Sequence, residues 1–393
     1  MPVTVRTVDA EELPTTAYPL CRYAFRPSPA EPEPDADRTR ARREACFGRT
    51  HVVFDSDAPR ATATVWRMYQ HVRGRMLPMG GIGGVATHPA ARRSGYARQM
   101  LTAVLADMRD QGQVVTALYP FRPSFYERFG YVGLVQERRV RLDPAAVQPL
   151  LRRELPGEVT LHQQHEVAGE TARFLTELAA TVPGMAVYDD PDGELLGDAG
   201  PEWLAAARIG GRMVGLLRYR ISEHGGELVA HRFLYRDPVA RSLLLGWLAR
   251  HTDQVTAASL PLPPGEAPET WVTDVRLTIE AQVGAVTTAV PMVRVLSVPG
   301  LAGIDAGPGE VTVRVDDPLI GGTYTLSGGG TLSVVRGGTP TAELTGHGLA
   351  ALVYGSLDPA ELPLRGYGTL DEPAAAALGS LFPRTTSHLV AHF

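Results

Sequence analysis

At about 150 residues per domain, the 393 residues of this chain make roughly two to three domains. A composition 44% hydrophobic and 21% charged excludes a disordered polypeptide, and the lack of an apolar run near about 18 residues excludes a membrane-spanning helix. A net charge of −5 argues against a nucleic-acid partner, and Cys21 and Cys46 are too few for a disulfide framework or a cysteine zinc site. Met1–Ala10 lacks the basic-then-apolar pattern of a secretory signal, so a cytoplasmic protein with no membrane partner and no metal is expected.

The chain holds no lysine, so all 38 of its Lys-plus-Arg residues are arginine. That excludes Walker-type phosphate loops, Schiff-base enzymes and protein kinases, each of which needs a lysine amine. Asparagine is also absent, so no N-glycosylation sequon exists.

Val3–Val8 alternates as a strand. Ala30–Arg43, rich in proline and charge, predicts a solvated loop leading into a helix. Val52–Phe54 and Ala61–Val72 predict a hairpin around Asp57-Ala58-Pro59, and Met79–His88 a glycine-laden strand. From Ala97, the apolar residues Met100, Leu101, Val104, Leu105 and Met108 share one face of a helix that ends before Gly112. A strand over Val114–Tyr119 and a short helix over Phe125–Phe129 follow. Pro144, Pro149 and Pro156 break the pattern between Leu142 and Glu158 and mark a first boundary. Beyond it come helix Val167–Ala180, strands Arg212–Ile221 and Glu227–Phe233, helix Val239–His251 and a loop over Pro261–Gly265. From Pro291 the chain turns strand-rich, with short β runs at Met292–Val298, Val311–Val315, Thr323–Leu326 and Leu332–Val335. Helices Gly348–Val353 and Ala374–Leu381 and a terminal strand His388–Phe393 complete the pattern. Three domains are expected, 1–150, 151–288 and 289–393, two of them α/β and the last α+β.

Chemistry concentrates at Gly83–Ala97, where a strand and a turn lead to Arg92-x-x-Gly95-x-Ala97 at the start of the amphipathic helix. A helix N-terminus offers unpaired N–H groups and a positive dipole end, which suit a pyrophosphate. Gly95 and the small Ala97 let phosphate oxygens reach the backbone, and Arg92 and Arg93 add charge. Gly81-Ile82-Gly83-Gly84 lies inside the strand rather than at its end, so it is not a dinucleotide fingerprint.

This loop resembles the R/Q-x-x-G-x-G/A acetyl-CoA loop of the GCN5-related N-acetyltransferases (GNAT). The resemblance implies a mixed α/β GNAT fold with acetyl-CoA as cosubstrate. It implies that Val85, Ala86 and Thr87 pair with the pantetheine arm, with the Val85 N–H as the donor to the thioester oxygen. It places Arg92, Arg93, Ser94, Gly95, Tyr96, Ala97 and Arg98 around the pyrophosphate, with Phe121 and Arg122 at the border. The segment Ser124–Tyr131 resembles the family's Y-x-x-x-G-[FY] stretch and implies Tyr126 as the general acid. A phenol with an ordinary pKa of about 10 keeps its proton at neutral pH.

The layout further resembles the enhanced-intracellular-survival (Eis-type) acetyltransferases: tandem GNAT domains followed by a sterol-carrier-protein-like (SCP2-like) α+β domain. Trp271-Val272-Thr273-Asp274, the strand Met292–Pro299 and the aromatic C-terminus carry that likeness. It implies a degenerate second GNAT domain, in keeping with Asp237-Pro238-Val239-Ala240-Arg241-Ser242, which has no glycine. It implies a ring-like homo-oligomer, often a hexamer, and a chain-terminal carboxylate, here on Phe393, as general base. His88, His388 and His392 are the rivals for that role. The acceptor implied is an amine on a small molecule or a lysine side chain. His392 in place of an acid, and Gly84 in place of an aromatic wall, argue against polycationic acceptors such as aminoglycosides. A lipid-carrier protein with a vestigial acetyltransferase domain is the alternative.

Overall fold

A chain without asparagine has no Asn-Gly pair with which to turn a tight hairpin, and its hairpins close by other means. In the computed structural model, which describes residues 3–27, 29, 31, 33–196, 202–284 and 289–391, β2 (Gly48–Asp55) turns into β3 (Ala58–Val72) through Ser56 and Asp57. Their φ values are +53° and +56°. The predicted hairpin is therefore present, but its loop is Ser56-Asp57 and Ala58 and Pro59 already belong to the strand. β3 turns into β4 (Arg75–Thr87) through Arg73 and Gly74, also both at positive φ.

Contacts divide the chain into two units, Met1–Val135 with Pro183–Asp189 and Ala285–Phe393, and Gln136–Val182 with Asp190–Gly284. The main sheet of the first runs β1-β2-β3-β4-β5-β15-β6, with β1 at Val3–Val8, β5 at Val115–Leu118, β6 at Val132–Gly133 and β15 at Met292–Val295. Neighbours are antiparallel except β4 and β5, which are parallel. A short strand, β9 (Ala186–Tyr188), adds to β3. Helices α1 (Ala17–Phe25), α2 (Pro34–Phe47) and α3 (Tyr96–Asp110) flank this sheet, and α4 (Pro123–Glu127) precedes β6. The predicted apolar row of α3 is its buried face. The same unit holds a five-stranded sheet, β18-β17-β16-β19-β20, in which β16 (Asp305–Asp316) pairs with β17 (Gly322–Thr331) and β19 (Ala342–Thr345). β18 (Ser333–Arg336) and β20 (Gly368–Thr369) are its edges, and α7 (Gly346–Tyr354) and α8 (Glu372–Leu381) pack with it. One continuous core joins Met79, Val115 and Val293 to Val313, Leu326, Leu349 and Leu378.

The second unit contains β7 (Arg138–Leu142), β8 (Glu158–Gln163), α5 (Ala168–Ala179), β10 (Trp203–Ile209), β11 (Arg212–Ile221), β12 (Glu227–Tyr235), α6 (Pro238–Ala249), β13 (Ala257–Leu262) and β14 (Leu277–Glu280). Its sheet, read β8-β10-β11-β12-β13-β7-β14, repeats the pairing pattern of the first, with β12 and β13 the one parallel pair. In both sheets the strand between the fifth and the last is supplied from elsewhere in the chain. β7 follows β6 in sequence but lies in the second sheet, and β15 follows β14 but lies in the first. The units thus cut across the divisions read from sequence at these two strands.

Other local expectations need correction. Residues 34–43 are helix rather than loop, because Pro34 sits at the helix start, where its missing N–H is no loss, and Asp35 and Asp37 favour the positive end. The proline-broken stretch forms a 3₁₀ helix over Pro144–Arg152, with Pro149 inside it. Pro261 and Leu262 finish β13 instead of opening a loop. The strand from Met292 stops at Val295, and Pro299 starts a 3₁₀ turn. Residues 388–391 form no strand, and 392 and 393 lie outside the described residues.

Candidate active site

β4 is built for backbone access, since Met79-Gly80-Gly81-Ile82-Gly83-Gly84 places few side chains along it. Its parallel pairing with β5 runs from Met79–Val115 to Ile82–Leu118, and there β5 ends while β4 continues to Thr87. Gly83–Thr87 therefore presents an edge with no β5 partner. On the other side, Thr62 pairs with Ala86 and Thr64 with Gly83, so Gly84 and Val85 share the place opposite Ala63. This bulge, with Gly84 at φ +61°, frees backbone that a regular ladder would consume. An open strand edge is what an extended ligand arm pairs with.

The turn after β4 is stiff. His88 caps the 3₁₀ turn Pro89–Ala91, its Nδ1 accepting from the Ala90 N–H at 3.3 Å. Arg93 holds a left-handed conformation, φ +66°, and Arg92 lies over the Tyr23 ring at 5.9 Å. Gly95 is the N-cap of α3 at φ +85°, and a Cβ there would meet no atom within 4 Å. No side chain caps this helix, so its first N–H groups are left for a ligand. Ser94 and Arg98 are exposed, Ala97 is half-buried, and the Tyr96 hydroxyl donates to Asp55 Oδ2 at 2.9 Å.

Tyr126 stands on α4, only 2% exposed. Phe121, Phe125 and Tyr131 surround it, with ring centroids 5.5, 5.1 and 6.2 Å away. Burial first, and the neighbouring Tyr131 phenol second, push its pKa well above that of an ordinary tyrosine. Phe121 and Arg122 are exposed, close in sequence to Tyr119 at the end of β5. The Tyr119 hydroxyl lies 3.2 Å from the carbonyl oxygens of both Leu389 and Ala391. Ala186 N–H donates to Val390 O at 3.2 Å and His388 N–H to Pro183 O at 2.9 Å. The described tail is thus fastened beside β5, and His388 is buried within it. Phe393 and His392, singled out from sequence, lie outside the described residues.

One buried group escaped the sequence analysis. Glu44, 3% exposed, accepts from Thr50 Oγ1 at 2.6 Å, Thr64 Oγ1 at 3.0 Å and the Tyr18 hydroxyl at 3.2 Å. Thr64 borders the bulge, and the Cys21 thiol donates to Gly84 O at 3.5 Å. Burial pushes that thiol up to about 12, so Cys21 is inert packing. Sequence offers no sign of the network, because its members come from four elements.

Residues 4–133 match the family model of the acetyltransferase (GNAT) domain. The chain carries a GNAT acetyltransferase domain. Over its whole length the chain is similar to crystal structures of a GCN5-related N-acetyltransferase from Kribbella flavida (TM-score 0.81, 21% identity, 100% of this chain and 98% of that one) and one from Anabaena variabilis (0.83, 16%, 99% of each). It is also similar to Eis1 from Mycobacterium abscessus (TM-score 0.76, 20% identity, 98% of each chain). At these identities the likeness is one of fold. No curated protein matches the sequence at a significant level. GNAT enzymes use acetyl-CoA, and the open β4 edge and uncapped α3 of this GNAT domain fit that group.

In the second sheet β13 likewise pairs with β12 only over Glu227–Val229 while β12 runs on to Tyr235, but the helix that follows is closed. At the start of α6, Asp237 Oδ1 accepts from Val239 N–H and Ala240 N–H, both at 2.9 Å. The protein's own carboxylate holds the helix end that Gly95 leaves open, and a phosphate would meet like charge there.

Proposed function

We propose that the protein transfers an acetyl group from acetyl-CoA to a primary amine, on a small molecule or a lysine side chain. The observation that carries this is the combination, in one GNAT domain, of an unpaired β4 edge and an uncapped helix led by a left-handed glycine. Acetyl-CoA, when bound, supplies the acetyl group as an activated thioester.

The chain's residues divide the work. Backbone of Val85, Ala86 and Thr87 holds the pantetheine arm, and the Val85 N–H, in the bulge, donates to the thioester oxygen. Arg92, Arg93, Ser94 and Arg98, with the backbone N–H groups from Gly95 to Ala97, receive the pyrophosphate. Tyr126 holds the proton destined for the leaving sulfur, and its raised pKa keeps it protonated. Phe121 and Arg122 border the arm.

For the base, the proposal is the carboxylate carried by Phe393. The support is the fastening of the tail through Ala391 to Tyr119, which leads into the Phe121–Tyr126 segment. A terminal carboxylate has a reference pKa of about 3.3–3.7, so it serves only where burial raises that value or where the amine has already begun to bond. His88 is the rival, and its Nδ1 is engaged as a cap. Extending the chain beyond Phe393 should cut turnover while acetyl-CoA still binds; wild-type turnover would move the base elsewhere. The resemblance to Eis-type enzymes further suggests a homo-oligomer, which sedimentation measures.

Titration calorimetry with acetyl-CoA, followed by a panel of amines read by thiol release, tests the whole reading. Binding together with amine-dependent thiol release is expected. No binding of acetyl-CoA to the folded protein would end it.

A further inference from the structure

The proposed acid stands on a weak support. α4 has five residues, barely one turn, and no side chain caps its start. A helix of that length does not hold its own side chains in place. Something else fixes Tyr126.

The residues around it are gripped twice from the C-terminal part of the same unit. Glu127, next in sequence, is exposed, yet the Tyr367 hydroxyl donates to its Oε1 at 2.7 Å and His347 Nε2 donates to its carbonyl oxygen at 2.5 Å. The His347 and Tyr367 rings stack, 4.8 Å apart and 10° from parallel, so the two donors form one rigid surface. Burial and the bond to Glu127 push the Tyr367 phenol up to about 12, so it remains a donor across the working pH range.

The second grip is buried. Gly130 lies at φ +80°, and a Cβ there would collide with Arg294 Nη1. Arg294, on β15 and 2% exposed, donates through Nη2 to Asp317 Oδ1 at 2.8 Å and Oδ2 at 3.1 Å. Asp317 is held in turn by the N–H groups of Leu319 and Ile320, at 2.8 and 3.1 Å. Tyr131, next to Gly130, is fully buried, shares a hydrogen bond with Thr116 Oγ1 at 3.1 Å, and sets its ring edge-on against Tyr126.

We propose that Glu127, His347 and Tyr367, with the Arg294–Asp317 pair beneath Gly130, are positioning residues that set the Tyr126 hydroxyl, so that the C-terminal part governs the acid of the GNAT domain. The catalytic consequence rests on the reading of Tyr126 as the acid; the positioning itself does not. A misplacement of about 1 Å can cost on the order of 10²-fold in rate.

Removing Arg294 or Asp317 alone strands a buried charge and risks unfolding, so the decisive variants act on the exposed grip. The full chain is labelled with 3-fluorotyrosine, and the Tyr126 fluorine resonance is assigned by its loss in Tyr126→Phe. In Glu127→Ala, that resonance should shift or broaden. Thiol release with the best amine of the panel should fall by about 10²-fold, with acetyl-CoA affinity unchanged. Glu127→Gln, whose amide oxygen still accepts from Tyr367, should restore both, and Tyr367→Phe should behave like the alanine variant. A wild-type Tyr126 resonance in both Glu127→Ala and Tyr367→Phe would overturn the proposal, whatever their melting temperatures. Full turnover in Tyr126→Phe would instead remove the acid role, leaving the resonance to judge the positioning alone.

Discussion

Two residues of the proposed site carry opposite demands. Gly95 needs emptiness, because the left-handed backbone and the open space over it are what a phosphate uses. Gly95→Glu strains that φ and fills the space with a carboxylate. Calorimetry should show acetyl-CoA binding abolished in a protein that still melts cooperatively, and near-native affinity would remove the loop from the site. Tyr126 needs enclosure. Tyr126→Phe should lower turnover by roughly 10²–10⁴-fold with acetyl-CoA affinity retained; equal losses in both would make it a packing residue. In the proposed role its protonated form is the working one, and burial raises its pKa, so turnover should not decline near pH 10 as an ordinary phenol would require. A pH–rate profile with an alkaline limb at or below 10 assigned to Tyr126 contradicts this. Both residues stand out in the sequence because each sits in a short contiguous pattern. Glu44 does not, since its partners Tyr18, Thr50 and Thr64 meet only through the fold.

At the scale of elements, periodicity located α3 and most long strands, and missed where they turn. Arg73-Gly74 and Ser56-Asp57 adopt the paired positive φ values that Asn-Gly usually announces. The first of these turns is also an anchor. Arg73 Nε donates to Val353 O at 2.7 Å, and its Nη2 lies 2.9 Å from both Leu352 O and Pro383 O, satisfying two carbonyls at the end of α7 and one just after α8. Arg73→Met strands those acceptors and should destabilise the unit by about 2–3 kcal/mol, measured by urea unfolding. The strand leading into this turn carries a titration of its own. His71, 6% exposed, has its pKa lowered by burial, with Asp305 opposing in part. The unfolded chain therefore binds more protons than the folded one below about 6.5, and stability falls as the pH drops beneath that value. His71→Gln should flatten the loss of melting temperature between about pH 7 and 5; an unchanged slope would show that other groups supply it.

For the whole molecule, the decisive feature is β15. Sequence pattern identified a strand from Met292 but grouped it with the C-terminal strands, because alternation reports that a segment is buried and not which sheet buries it. The structure inserts it between β5 and β6, with Val293 opposite Ala117 on one side and Val132 on the other. Val293, Val295 and Leu296 are fully buried, and Met292 is 4% exposed. At about 1.5–3 kcal/mol for each such side chain, β15 contributes an amount comparable to the roughly 5–15 kcal/mol that holds a domain folded. Its loss would also leave an edge of β5 unpaired beside the Tyr126 segment, an invitation to aggregation. The boundary of the family match at residue 133 is therefore not a boundary of folding. A chain cut to residues 1–284 keeps the whole proposed acetyl-CoA loop and the whole second unit, yet the first unit should lose its own melting transition and acetyl-CoA binding with it. Val293→Asp in the full chain should do the same by placing an unpaired charge in that core. A 1–284 protein whose first unit keeps its own melting transition and binds acetyl-CoA with full-length affinity would show that β15 merely covers a domain already complete.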